Sequence, residues 1–534
     1  MEAKKMNHGL AGPQAEPRDL DADCPEIVDK CQDRYIPFGE GAFQVRLLLV
    51  SAIVGGVSFI HSKILRLSLR EMDHWCLRPA AFAGLSVAAW KEMAIPRDAN
   101  GSYSRCTVRD PPDGGPSARV VACTSWEFNL TEYGNTIISE WNLVCSRRWM
   151  ADIAPFVAYA LTILWLPLAG AAADRVGRKT VAVVSLSGLL LTILGSSLAL
   201  DFQTYVVMNA VAMAMSSSLV VVYIIIYEVT TKSRRLLYCT IAPALSATLV
   251  PMFSVLVDVY TLSWSVLHLL VAALASLLLA AFCTVEESHA WLVAKRNIGE
   301  AERVAVRAAR VNGMAANECR DLLRRELRQL ERVETSSVEV ASRTRSASPR
   351  RRWLLLAFTW LAISWPDRRF SGARGVSLDP QVRVVAYLGT GLAFLFVWPF
   401  LQGGRIAKTA VATFALVTSA LTALLFATIT DDEYTALRAV LLVSMRLSLS
   451  VPVALMFYLA ANLYPTEIRC SAVSAGYAFA LLGDSVGKTH YWLLFGRTED
   501  TRLAIESMLL ALASVAVVHL PSGDGSHRER HFRF

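Results

Sequence analysis

Charge is scarce in this chain. Only 18% of its 534 residues are Asp, Glu, Lys or Arg, against about a quarter in an average soluble domain. The basic excess, a formal net charge of +8, lies mostly between apolar runs. The preference of Lys and Arg for the cytoplasmic side of membrane spans accounts for that placement without a nucleic-acid partner. No apolar run precedes Phe43, so no cleavable signal peptide is expected and the first span itself would direct insertion. The phosphate-binding pattern GxxxxGK[ST] is missing, zinc-type cysteine spacing is missing, and no nucleophile–base set stands out. No residue pattern therefore argues for an enzyme, a cofactor or a metal.

What the chain has in abundance is apolar length: 54% hydrophobic residues and a mean hydropathy of +0.40. The stretch that organises the rest runs from Trp141 to Thr180. It holds about twenty apolar residues, enough to cross the hydrocarbon of a bilayer. A compact charged turn follows at once, with Asp174, Arg175, Arg178 and Lys179 around Gly177. A soluble core helix has no need of such a turn. A membrane protein with a tight cytoplasmic hairpin does.

Before that stretch lies a polar segment, residues 66–148. It carries four of the ten cysteines, Cys76, Cys106, Cys123 and Cys145, and both Asn-x-Ser/Thr sequons, at Asn100 and Asn129. Disulfides persist and glycans are added outside the cytosol, so a large extracellular, glycosylated loop is expected. Four cysteines allow three pairings, and the sequence does not choose among them.

With that loop outside, twelve spans follow, at about 43–65, 151–173, 181–200, 205–229, 237–260, 264–284, 353–365, 384–401, 409–428, 436–461, 472–495 and 503–520. Both termini then fall in the cytoplasm. Inner turns are basic, Arg234 among them, while the outer turn Asp431-Asp432-Glu433 is acidic. The expected organisation is a tail (1–42), a six-helix bundle (43–284), a cytoplasmic loop (285–352), a second bundle (353–520) and a tail (521–534). In the central loop Val304, Ala308 and Val311, then Leu322, Leu323, Leu327 and Leu330, recur at helical spacing. Ser336–Arg352 reads as a flexible, phosphorylatable linker. The halves echo each other: Gly177-Arg178-Lys179-Thr180 returns as Gly404-Arg405 with Lys408-Thr409, and Arg234 returns as Arg469. Two six-helix repeats around a long cytoplasmic loop make an all-α membrane protein of the major facilitator plan.

Over most of its length the chain resembles the organic cation/organic anion transporter family, solute carrier family 22. Gly39-Glu-Gly-Ala-Phe43-Gln44 resembles the family's approach to the first span. Glu140-Trp-Asn-Leu-Val-Cys145 is close to its hallmark, and Leu463-Tyr-Pro465-Thr-Glu-Ile-Arg469 resembles the stretch after the tenth span. Asp174-Arg-Val-Gly-Arg178 is shared with sugar carriers. Departures are as plain. Residues 286–292 read EESHAWL and lack the family's prolines and arginine, Asn462 replaces an acid, and Asp367-Arg368-Arg369 replace a Tyr-Tyr-Gly. The resemblance implies a multi-pass plasma-membrane carrier moving small organic ions (cations, anions or zwitterions such as carnitine) by alternating access. Its partners would be that ion and the lipid bilayer. A sugar-type carrier, or a transport-inactive relative acting in membrane binding or regulation, are the competing readings.

Such a carrier binds its substrate near the membrane midplane, where an ionisable residue is costly and marks function. Arg446, roughly 15 Å into the tenth span, is the first candidate, for an organic anion or for a structural pair with Asp484. Asp484, with Lys488 one turn further along its face, is the candidate for an organic cation. Tyr223, Tyr227, Trp360, Phe457 and Tyr477, with Trp165, are candidates to line a cavity and stack on a cation. His268 reads as a packing residue rather than a proton relay. Asp174, Arg175, Gly177, Arg178, Arg234, Arg405 and Arg469 are the candidate gating turns, whose ion pairs bias a two-state rocking motion.

Overall fold

The computed structural model describes residues 36–520 apart from 99, 132–133, 261, 341–348, 367–370, 374–375, 378–379, 403–404, 430–431 and 490–498. Helix α1 (Ala42–Ser68) leads into a polar segment holding the short α2 (Val87–Ala94) and α3 (Ile137–Glu140). Then come α4 (Arg148–Val176), α5 (Arg178–Ser197), α6 (Phe202–Ser218), α7 (Val221–Glu228), α8 (Lys232–Tyr260) and α9 (Trp264–Cys283). Helices α10 (His289–Ala294), α11 (Ile298–Val311) and α12 (Ala316–Val340) fill the central loop. The chain continues with α13 (Pro349–Ser364), α14 (Pro380–Leu401), α15 (Arg405–Thr428), α16 (Thr435–Asn462), α17 (Arg469–Asp484) and α18 (Glu499–Val518). Among the described residues, eight helical segments are long and apolar enough to cross a membrane.

Helices up to α9 pack mainly on one another, α1 on α8 and α5 on α6 and α9. Those from α13 onward do likewise, α15 on α16 and α18, and α13 on α17. Contacts of α4 with α17, and of α8 with α14 and α16, join the two groups. Small residues set the closest approaches. A Cβ at Gly170 would lie 2.6 Å from the Cys470 carbonyl and 2.8 Å from Ser474 Oγ.

Several boundaries differ from expectation. The fourth span is two helices, because Leu219 and Val220 bond back by the tighter i to i+3 pattern, to Ser216 at 3.1 Å and Ser217 at 3.3 Å. Ser216 and Ser218 hydroxyls donate to the Met213 and Ala214 carbonyls, and such back-bonding bends helices. The helix expected over 472–495 is α-helical only to Asp484 and passes into a π-type turn, Ser485–Thr489. Gly483 and Gly487 let that end touch α13, since a Cβ on either would strike the Leu361 or Trp365 carbonyl. The linker expected from Ser336 is helical through Val340, and α13 begins at Pro349. Asp367, Arg368, Arg369 and Gly404 lie outside the described residues.

The 66–148 segment builds a core of its own. His74–Cys76 pairs antiparallel with Trp126–Phe128, and Thr107–Asp110 with Arg119–Ala122. Trp90 is fully buried beside Trp75, Ala94 and Ile95. The disulfides are Cys76–Cys123 and Cys106–Cys145. Asn100 is exposed and Asn129 half-buried. Elsewhere, Asn312 at the end of α11 ties the central helices to the start of α1. It donates to Phe38 O at 3.0 Å and Gln44 Oε1 at 3.1 Å, and accepts from Phe43 N at 2.9 Å.

Candidate functional site

The charged turn after α4 depends on Gly177, whose φ of 112° only glycine adopts readily. The Glu287 carboxylate fills the space a Cβ would take. It accepts from the backbone N–H of Arg178 (3.1 Å), Lys179 (3.0 Å) and Ser288 (2.8 Å). An anion at the start of α5 is favoured by the helix dipole. Burial pushes the Glu287 carboxyl above its ordinary range, against those three donors.

From this turn a buried network reaches the second helix group. Asp174 accepts from Cys470 N (3.1 Å), Ser471 N (2.8 Å) and Ser471 Oγ (2.6 Å) at the start of α17. Arg178, fully buried, meets Asp174 at 3.3 Å and Glu228 at 3.2 Å, and donates to the Thr466 carbonyl. Glu228 also binds Arg469 at 2.8 Å and accepts from the Ser288 hydroxyl. One carboxylate thus holds an arginine from each group. Tyr227 belongs here rather than in a cavity: its hydroxyl donates to Asn462 at 2.9 Å, and Arg469 lies 4.9 Å from its ring. Arg175 is exposed, and Arg234 pairs apart from the network with Glu40 at 3.0 Å. The Arg405 side chain lies outside the described residues.

Four of the aromatic candidates come together where the two groups meet. Phe457 of α16 has Tyr223 of α7 at 4.9 Å, Trp360 of α13 at 5.0 Å and Tyr477 of α17 at 6.0 Å. Trp360 is 2% exposed, and its indole N–H meets no acceptor among the described residues. Beside them Gly55, Ser58, Phe59, Val220, Tyr223 and Tyr477 line a crevice too narrow for a water molecule. A set of π faces from four helices suits an organic cation. Trp165 is elsewhere, bonded to Ser218 at 2.9 Å.

The ionisable candidates are separated. Arg446 does not pair with Asp484 as considered from the sequence; it faces Glu506 of α18 at 3.7 Å. Asp484 instead accepts from the hydroxyl of Tyr159, on α4. The Lys488 side chain lies outside the described residues. His268 is packed as expected, its Nδ1 at 2.8 Å from the Trp264 carbonyl and Nε2 at 3.4 Å from the Tyr205 hydroxyl. Sequence reasoning missed Glu228, Glu287, Glu506 and Tyr159. For Glu228 a signal existed: a lone acid closing an apolar span just before a basic turn must find a cation.

Residues 236–363 match the family model described as sugar (and other) transporter. The chain is 24% identical over 511 residues to the human organic cation/carnitine transporter 2, covering 90% of this chain and 88% of that one. To the beta-alanine transporter of Drosophila melanogaster it is 23% identical over 308 residues, 51% of this chain and 50% of that one. To rat solute carrier family 22 member 7 it is 28% identical over 189 residues, 32% of this chain and 35% of that one. Its fold is similar to the proton:xylose symporter XylE bound to 6-bromo-6-deoxy-D-glucose, with a TM-score of 0.59 at 12% identity, covering 90% of this chain and 96% of that one. A partially occluded inward-open XylE from E. coli gives 0.56 at 12% identity, covering 91% and 100%. The chain has the all-helical major facilitator fold of a multi-pass membrane protein. The chain is thus similar over most of its length to an organic cation/carnitine transporter, and over shorter stretches to members of solute carrier family 22.

Proposed function

We propose that this protein is a plasma-membrane carrier for small organic ions, working by alternating access between two six-helix halves, 43–284 and 353–520. In this reading the chain crosses the bilayer twelve times, with segment 66–148 extracellular and glycosylated at Asn100 and Asn129, and both termini cytoplasmic. The names of its relatives, carriers of organic cations, carnitine and beta-alanine, support a small ionised or zwitterionic substrate.

The observation that carries the reading is the aromatic cluster of Tyr223, Trp360, Phe457 and Tyr477 at the junction of the halves. It favours a positively charged substrate group. Arg446 belongs to the scaffold in this view, because Glu506 already faces it. The buried network around Glu228 is the inner gate, closed here. The diverged EESHAWL segment argues little for an inactive relative, since Glu287, Ser288 and Trp291 each hold a partner in that gate.

Uptake by cells expressing the chain, with one labelled quaternary ammonium ion and one labelled carboxylate, tests the reading. Ammonium uptake should fall about tenfold in Phe457→Ala at equal surface level, the worth of a desolvated cation–π contact. Uptake of neither ion by wild-type protein at the surface, extended over a wider panel of organic ions, would favour the inactive relative.

A further inference from the structure

Helices α4 and α17 touch at three levels. Asp174 of α4 holds the first amides of α17. Further along, Gly170 lies against Cys470 and Ser474. Far from both, the Tyr159 hydroxyl donates to the Asp484 carboxylate. Tyr159 lies fifteen residues before Asp174, or about 22 Å along the helix, and is 4% exposed. Asp484 is the last residue of α17. The two belong to opposite helix groups, so their hydrogen bond crosses the interface at the end remote from the arginine network.

We infer that the Tyr159–Asp484 hydrogen bond is the latch of the outer gate, and that Asp484 is a positioning residue for gating rather than the partner of a substrate cation. The inference rests on the transport reading. Asp484 is fixed to its own half, because Gly483 and Gly487 seat that end of α17 directly on the Leu361 carbonyl of α13 and the Trp365 carbonyl just past its end. When the first half swings outward, Asp484 therefore stays with α13 and the tyrosine leaves it. A charged acceptor makes that parting more costly than the loss of a neutral hydrogen bond. The inner end of the same pair is held by several charged contacts. Opening one end while the other stays closed is what alternating access requires, and one pair of helices carries a lock at each end.

The test uses purified full-length protein in lipid nanodiscs with spin-label pairs; Cys283→Ser removes the exposed thiol among the described residues, and Cys24→Ser with Cys31→Ser removes the two that precede them. Leu198→Cys with Leu437→Cys reports the outer side, and Thr284→Cys with Gln402→Cys the inner side. Distances are read by pulsed electron resonance without substrate, so failure to find a transported ion, which would sink the transport reading, does not affect this one. Tyr159→Phe should raise the outer-open population about tenfold, the loss of one hydrogen bond to a charged group, with no widening of the inner pair. Asp484→Leu should match it, and combining the two should add nothing. Asp484→Asn keeps a carbonyl acceptor and should shift less; it supplies the reading if the leucine variant does not fold. Outer distances unchanged in Tyr159→Phe would overturn the inference. So would shifts that add in the double variant, because independent packing effects are additive.

Discussion

Glu506 of α18 faces Arg446 of α16 at 3.7 Å, and neither side chain is more than 3% exposed. Removing one partner of such a pair leaves the other charge buried, at a cost of about 3–5 kcal/mol. Arg446→Ala and Glu506→Gln should therefore both lower the thermal midpoint and surface level. Substrate that is still carried should show an unchanged KM. Arg446→Met combined with Glu506→Leu should recover much of the midpoint. A raised KM in Arg446→Ala at normal midpoint would return Arg446 to the substrate site.

Glu287 closes the turn at Gly177 by accepting three backbone N–H groups. Glu287→Ala exposes those donors, at about 1–3 kcal/mol for the first of them. Amide exchange at Arg178 and Lys179 should accelerate, while exchange in the middle of α5 should not. Gly177→Ala should do the same by a different route, since a side chain there adds strain at positive φ and displaces the carboxylate.

His289 of α10 lies 3.3 Å from Glu326 of α12, and burial drives the two apart. His289 is lowered from 6.5 to about 4, and Glu326 is raised from 4.5 to about 7. The histidine contributes stability above pH 6.5 that is lost as pH falls toward 4. The glutamate contributes stability below pH 4.5 that is lost as pH rises through 7. The two slopes oppose each other between pH 4.5 and 6.5, so their joint contribution is nearly flat there. Relative to wild type, Glu326→Gln should leave a thermal midpoint that climbs from pH 4 to 6.5. His289→Gln should leave one that declines from pH 4.5 to 7. Profiles parallel to wild type in both variants would count against these opposed burial shifts.

Cys106 and Cys145 close a loop with a sequence separation of 39. Replacing both with serine removes about 3–4 kcal/mol in the chain-entropy account. The 66–148 segment should then be cut faster by protease added outside intact cells, with the transmembrane helices unaffected. Asn100→Gln and Asn129→Gln should each lose one glycosidase-sensitive mass step. If neither does, the outward placement of this segment is wrong.

The long apolar helices were legible because lipid demands one continuous apolar run with every backbone group bonded inside it. α9 and α16 accordingly lie within about a residue of their expected ends. The break at Leu219 was not legible, because serines in a span more often leave a helix intact. Arg446 was identified as buried and charged, yet of the two roles considered, an organic-anion site or a pair with Asp484, neither named Glu506, the acid it faces. Depth along a span follows from counting residues, whereas the neighbour across it depends on which helices pack together. The aromatic cluster was partly legible for the same reason: residue type selected six candidates, and packing sent Tyr227 to the arginine network and Trp165 to Ser218.

The glycine contact between α4 and α17 has a geometric consequence. Gly170 lies four residues from Asp174 and eleven from Tyr159, about 6 Å and 16 Å along α4. If the pair turns about that contact, it is a lever with unequal arms. A shift of one ångström at the arginine end becomes nearly three at the tyrosine end. The short, strongly charged arm would set the angle, and the long arm would open the door.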